Sequence, residues 1–304
     1  MPTLTKQQLI LLVLLTLVWG LNWPIMKVGV TGYPPLTFRA LSMWVGLPVL
    51  GLALWWLKVP FRLQAGPGGR DWLELLKLAC TNMFVWHVCI ILAVSALSSG
   101  RAAILGYTMP IFSALLGAVL FAAVLSRRGW LGVGAASVGV VLLLWHEFTA
   151  LTGKPEAVGL ALLAAASWAL GTQLLRRTTL PVPTLTISFW MTALTAVVMT
   201  AMAWWFESPA DGVWPAMGPA SLWAMLYNGV MIFGFAHAAW FFLARSLPPV
   251  ASTLSVMLIP VLGVFSGALW LREQLFWQDY VAMALMVVSI ASVLWPARAS
   301  AKAP

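Results

Sequence analysis

The chain has little charge. Only 8% of its 304 residues are Asp, Glu, Lys or Arg, and only eight are acidic. A soluble domain carries roughly 25% charged residues to keep its surface wet, so a soluble globular protein is excluded. There are two cysteines and three histidines. Cys80 and Cys89 fall nine residues apart in one apolar run, roughly 13 Å along a helix axis, too far for a disulfide. No HExxH, CxxC or clustered Asp/Glu pattern occurs, so no metal ion or other cofactor is expected. No Walker A sequence occurs, so no ATP-driven pump is encoded. No small-residue cleavage site follows Lys6, so no cleavable leader is expected.

What is present is apolar surface: 62% of the residues are hydrophobic and 19 are tryptophan. A membrane-spanning helix needs about 20 mostly apolar residues. Ten stretches meet this, near 8–29, 36–57, 72–96, 102–125, 129–146, 157–176, 184–206, 221–244, 250–271 and 277–295. The runs are continuous rather than alternating, which excludes a β-barrel. Gly/Pro-rich or charged punctuation separates them, as at Gly32-Tyr33-Pro34-Pro35 and Gly66-Pro67-Gly68-Gly69-Arg70. The expected fold is all-α and polytopic.

The net charge of +9 would suggest nucleic acid in a soluble protein. Here the basic residues sit in short loops, so the membrane reading applies and no nucleic-acid partner is expected. With a cytoplasmic N-terminus, twelve Lys or Arg fall on the inner side and three (Arg101, Lys154 and Arg272) on the outer side. That bias predicts a multi-pass membrane protein with both termini cytoplasmic. An even helix count is then required, and ten satisfies it.

The chain also repeats itself. At an offset of 149, Trp19 falls on Trp168, Pro34 on Pro183, Leu36-Thr37 on Leu185-Thr186, and Trp55-Trp56 on Trp204-Trp205. At an offset of 150, His87 falls on His237, Pro110 on Pro260, Gly117-Ala118 on Gly267-Ala268, and Trp145 on Trp295. Agreement across five helix pairs points to duplication, with halves at 1–150 and 151–304. Five crossings per half are odd, so the second copy enters from the opposite side. Such inverted repeats are typical of secondary transporters, whose site lies near the midplane between the halves.

Several stretches resemble the EamA-type branch of the drug/metabolite transporter superfamily. They are Trp19-Gly20-Leu21-Asn22-Trp23-Pro24-Ile25-Met26-Lys27, Pro34-Pro35-Leu36-Thr37-Phe38-Arg39, and Ile259-Pro260 with Leu271-Arg272-Glu273. The aromatic-rich helices and His87 look most like the YddG-type bacterial exporters of aromatic amino acids. The resemblance implies a basket of helices 1–4 and 6–9 around a central cavity, braced by helices 5 and 10. One departure is that Glu273 has only Ala123 as its first-half equivalent.

No Asp or Glu lies in the middle third of any apolar run. Intramembrane acids are the usual proton relays and counter-ions for cationic drugs. Their absence favours a carrier of neutral or zwitterionic solutes. His87, mid-helix, is either a cavity residue that hydrogen-bonds substrate or a packing histidine; its repeat partner His237 favours the cavity. Trp19 and Trp168 are equivalent and deeper than the interface tryptophans such as Trp55, Trp56, Trp204 and Trp205. They are candidate apolar walls. Asn22 and Tyr107 suit a pocket with a few aimed polar groups, and suit interhelix contacts as well. Lys27 reads as a snorkelling side chain, while Arg39 either attracts a carboxylate or snorkels. Pro110 and Pro260 are bends, for gating or for static packing. The run Gly132–Gly139 reads as a close helix contact.

Together these features predict a non-enzymatic, ATP-independent exporter of neutral aromatic or hydrophobic amino acids and related metabolites, working by alternating access in the lipid bilayer as a monomer or homodimer. The alternatives are a lipophilic-cation exporter, an intramembrane enzyme using His87 or His237 as base, and a channel.

Overall fold

A computed structural model of the chain describes residues 6–63, 70–122, 127–149, 153–246 and 258–294. Among them there are helices and no strands. In lipid a backbone must satisfy its own hydrogen bonds, and the helix does so within one segment. Ten helices result. They are α1 (Lys6–Thr31), α2 (Pro35–Trp56), α3 (Arg70–Ala96), α4 (Ser99–Phe121), α5 (Arg127–Thr149), α6 (Pro155–Arg177), α7 (Thr184–Glu207), α8 (219–246), α9 (Leu258–Leu271) and α10 (Trp277–Leu294). By length and composition, α1–α4 and α6–α8 can each cross a membrane, and α9 and α10 are shorter apolar helices as described. Pro35, Pro155 and Pro219 open α2, α6 and α8, where a missing N–H costs nothing and the fixed φ favours the first turn.

Helix ends fall within a few residues of the sequence expectation, with two differences. The fourth helix starts at Ser99 and is interrupted at Tyr107-Thr108, just before Pro110, so it forms two segments. Thr108 bonds back to the Leu105 carbonyl at 2.7 Å, which draws its hydroxyl toward the preceding turn. For the ninth helix, the predicted start at 250 lies outside the described residues; the described helix opens at Leu258, two residues before Pro260.

Most packing crosses between the halves. α1 packs on α8 and α9, and their equivalents repeat the pattern, with α6 on α3 and α4. α2 packs on α8 as α7 does on α3. The self-equivalent pairs α2/α7, α4/α9 and α5/α10 also touch. In all three the partners run antiparallel. Glu207, at the end of α7, meets Leu36 at the start of α2, while Thr186 meets Pro60 beyond the other end of α2. Gly100 of α4 lies on Val264 of α9, and Ala103 on Gly263. Ser289 of α10 donates to the Gly132 carbonyl of α5, while Gly139 faces Ala282. Equivalent helices that run in opposite directions are the signature of an inverted duplication. Gly132 and Gly139 of the small-residue run on α5 are spent on this contact with α10, where missing side chains let backbones approach, while Gly134 faces open space.

One end of the bundle is stapled by carboxylates. Glu207 accepts from the amides of Leu36 and Thr37 at 2.8 and 2.7 Å and from the Thr37 hydroxyl at 2.7 Å. Glu273 accepts from Ser99 N, Ser99 Oγ and Gly100 N at 2.7, 2.9 and 3.2 Å. Both acids thus cap helix N-termini of the other half, where unpaired amides and the helix dipole favour negative charge. Arg101 and Asp279 form a buried ion pair at 2.8 Å at the same end. Lys27 sits there too and does not snorkel. Its ammonium donates to the carbonyls of Val94, Ser95 and Leu97 at 3.0, 3.0 and 2.9 Å, capping the C-terminus of α3.

Candidate functional site

Two helices change their winding before they reach the centre. α3 passes through a π-helical stretch at Ala79–Phe84, and α8 through one at Asn228–Ala236. These stretches overlap at the repeat offset. A π turn adds a residue to the helix, and each added residue rotates everything after it by about 100° about the axis. Such bulges recur at functional sites. Here each one immediately precedes a histidine-bearing segment, Val85–Ala96 with His87 and His237–Ser246 with His237. Glycine permits the α8 stretch to lie against α2: a Cβ on Gly229 would stand 2.5 Å from Val45. No sequence signal marks the α3 stretch, which has no glycine, and only Gly229 and Gly234 mark the α8 stretch.

Between the halves lies a cavity of about 50 Å³. Trp19 and Asn22 of α1, His87 of α3, Tyr107 of α4, Trp168 of α6 and His237 of α8 all line it. The six residues singled out from sequence are therefore brought together around one space. Trp23, Met26, Trp86 and Arg39 join them. Pro110 and Pro260 stand away from the lining, Pro110 directly after Met109 and Pro260 near the start of α9.

The walls are an aromatic cluster. Trp19 meets Trp168 edge-on at 6.2 Å, Trp86 meets Trp168 at 5.1 Å, and His237 stacks on Phe233 at 5.1 Å with planes 3° apart. Each such pair adds about 0.5–1.5 kcal/mol beyond area burial. The two histidines face each other with ring centroids 5.1 Å apart, and both are buried. Their bonding differs. His237 Nδ1 lies 2.8 Å from the Ile232 carbonyl. A carbonyl can only accept, so Nδ1 carries the proton and Nε2 is left as the acceptor. Neither nitrogen of His87 has a protein partner.

Arg39 is the residue that sequence reading left open. It lies five positions into α2 yet is 1% exposed. Its guanidinium donates to Asn228 Oδ1 at 3.2 Å and to Met26 Sδ, and sits over the Phe233 ring at 5.6 Å. Its Nε–H has no protein partner. Asn22 Oδ1 and Trp168 Nε1 are likewise buried and unpartnered. Buried polar atoms are nearly always paired, so a group of exceptions around one cavity needs a reason. Asn228 is held in turn by the Ala224 carbonyl at 3.0 Å, which fixes the oxygen it presents to Arg39. Among the described residues no acid lines the cavity, and no His, Cys, Asp or Glu trio could hold a metal ion.

The model of the EamA-like transporter family matches twice, at residues 7–145 and 156–295. The chain belongs to this family. It is a multi-pass membrane transporter that carries the family's unit twice. Among its relatives is the "Uncharacterized transporter YoaV" of Bacillus subtilis, 24% identical over 86% of this chain and 87% of that protein. The "Uncharacterized inner membrane transporter YedA" of Escherichia coli K12 is 26% identical over 93% and 91%. A "Probable amino-acid metabolite efflux pump" of the same strain is 22% identical over 94% of each. A crystal structure shares the fold with a TM-score of 0.68 at 21% identity, covering 93% of this chain and 96% of the other.

Proposed function

We propose that this EamA-like transporter exports neutral aromatic or hydrophobic amino acids and related metabolites from the bacterial cytoplasm. It is a secondary carrier in the inner membrane, with both termini cytoplasmic, and it is not an enzyme. The observation that carries this reading is the cavity between inverted halves, walled by aromatic rings and edged by a few unpaired polar atoms, with no acid among the described residues of its lining. Such a site suits a small solute with an apolar body and one polar end. Trp19 and Trp168 supply apolar walls; His87, Asn22, Tyr107 and His237 supply hydrogen bonds. The name of the Escherichia coli efflux pump agrees with this class of cargo.

The cavity of about 50 Å³ is small beside the roughly 300–1,000 Å³ of ordinary ligand pockets. Admitting an amino acid therefore requires the halves 1–150 and 151–304 to part, first at one end and then at the other. Pro110, at the break in α4, and its equivalent Pro260 in α9 serve as the bends of that movement. The unit that moves is a monomer or each copy of a homodimer.

The experiment is transport by purified protein in proteoliposomes. Labelled phenylalanine or threonine is expected to cross without ATP and to exchange with unlabelled solute on the other side. Retention of both, alongside movement of a lipophilic cation, overturns the substrate class.

A further inference from the structure

Three cations, Lys27, Arg39 and Arg101, lie inward of the stapled end. Lys27 is spent on three carbonyls of α3, and Arg101 on the carboxylate of Asp279. Arg39 alone of the three has neither a carboxylate nor the carbonyl end of a helix; its partners are Asn228, Met26 and the face of Phe233. A guanidinium taken out of water without an anion costs several kcal/mol. Its three neutral contacts hold it in place and leave that cost largely unrelieved. Arginine is also the side chain whose planar fork best matches a carboxylate.

The unpaired atoms around the cavity are mostly donors. Arg39 Nε, Trp168 Nε1 and one His87 nitrogen donate; Asn22 Oδ1 and the other His87 nitrogen accept. Donors of this number suit an anion, and the two acceptors suit an ammonium group. The count of cations matters as well. The repeat equivalent of Arg39 is Ser188, buried and bonded to the Thr184 carbonyl at 2.9 Å. One half supplies a charge and the other does not, so the cavity has one place for one negative group.

We infer that Arg39 anchors the carboxylate of the transported solute, so that this carrier takes monocarboxylates with an apolar body. The amino group is secondary, held by the acceptors when present. Dicarboxylates are disfavoured, because a second charge would face an aromatic wall. Amines that lack a carboxylate are excluded by the bare guanidinium. This inference rests on the transport reading above and narrows it to one chemical requirement.

The test is competition against labelled phenylalanine in proteoliposomes, with phenylalaninamide, phenethylamine and 3-phenylpropionate as competitors. Phenylalaninamide and phenethylamine are expected to compete on the order of a hundredfold more weakly than phenylalanine, the loss typical when one partner of a buried charge pair is removed. 3-Phenylpropionate is expected to stay within about tenfold of phenylalanine, since it loses only neutral-acceptor bonds to an ammonium. Arg39→Gln should abolish the preference for phenylalanine over its amide, and Arg39→Lys should keep part of it. Equal competition by phenylalanine and its amide in the unaltered protein overturns the anchor while leaving amino-acid transport standing. Arg39-dependent movement of 3-phenylpropionate without movement of phenylalanine does the reverse: the anchor stands and the amino-acid cargo falls. Movement of lipophilic amines alone overturns both. The competitor series needs no substitution, so it decides the matter even if the Arg39 variants do not fold.

Discussion

The two halves share a shape and differ in chemistry. Trp19 and Trp168, and His87 and His237, occupy equivalent positions and meet at the same cavity. At three other lining positions the first half is polar or bulky where the second is small. Asn22 corresponds to Gly171, Arg39 to Ser188 and Trp86 to Ala236. Gly171 is not a neutral replacement: its missing side chain leaves room for Asn82 of α3, which a Cβ there would meet at 2.5 Å. Duplication thus supplied a scaffold of two inverted units around one cavity. Divergence then gave the first half most of the polar groups and left the second half walls and packing. A solute held this way has one orientation relative to the two halves, even though the scaffold is two-fold.

The histidine pair gives the sharpest way to break that comparison. His237 is bonded to Ile232 and stacked on Phe233, whereas His87 has no hydrogen-bond partner in the protein. His237→Ala is expected to lower stability by about 3 kcal/mol, through the cavity left and the lost ring pairs. His87→Ala is expected to cost less stability, because it also removes an unsatisfied buried group. It should weaken substrate binding by roughly tenfold, the worth of a lost hydrogen bond to a charged ligand group. Thermal melts in detergent and counterflow of phenylalanine read the two effects separately. Equal losses in both assays from both variants would mean that the rings do the same work.

The second comparison is between the ends of the bundle. Glu207 and Glu273 bind helix N-termini across the halves, but their first-half equivalents are Lys58 and Ala123; Ala123 lies outside the described residues. The opposite end is joined mostly by neutral bonds, from Thr186 to the Pro60 carbonyl at 2.8 Å and from Trp190 to the Phe61 carbonyl at 2.8 Å, and by a single carboxylate of the first half, Glu74, which accepts from the Thr178 hydroxyl and the Thr179 amide. Glu207→Gln and Glu273→Gln are each expected to cost about 1 kcal/mol, the worth of a charged N-terminal cap. The two sites share no partner, so their effects should add. The double variant should also expose position 30, where Val30 is buried beside that end, to a thiol reagent when cysteine is placed there. Unchanged labelling with unchanged melting would show that these carboxylates do not hold the end closed.

Much of this was legible in the sequence because it is periodic. The spans follow from apolar length, and the inversion follows from an odd number of spans per repeat. Four of the cavity residues, Trp19, Trp168, His87 and His237, follow from aromatic or polar groups repeated at depth; Asn22 and Tyr107 follow only from being polar within apolar runs. What could not be read depends on partners far along the chain. Arg39 looked peripheral because it is near the start of α2; its burial is set by Asn228 and Phe233, about 190 residues away. Lys27 looked like a snorkelling side chain because the carbonyls it caps belong to another helix, at Val94, Ser95 and Leu97. The π turns in α3 and α8 leave no periodic trace, since one extra residue in an apolar helix changes the face without changing the pattern.

The smallest expected effect is that of a pH gradient, and it tests both halves at once. Proton coupling needs a group that takes a proton with the cavity open to one side and gives it up on the other. Carboxylates usually do this within membranes. Here Glu207, Glu273 and Asp279 are held by amides, hydroxyls or Arg101 at one end, and none lines the cavity. Net flux of a zwitterionic amino acid should therefore follow its own gradient, with little change when a pH difference is imposed across the vesicle. The comparison of the histidines decides what a positive result would mean. A pH-driven flux that survives Glu207→Gln and Glu273→Gln but vanishes in His87→Ala would assign the proton to the unpaired ring of the first half. That half would then carry the coupling as well as the substrate's polar contacts.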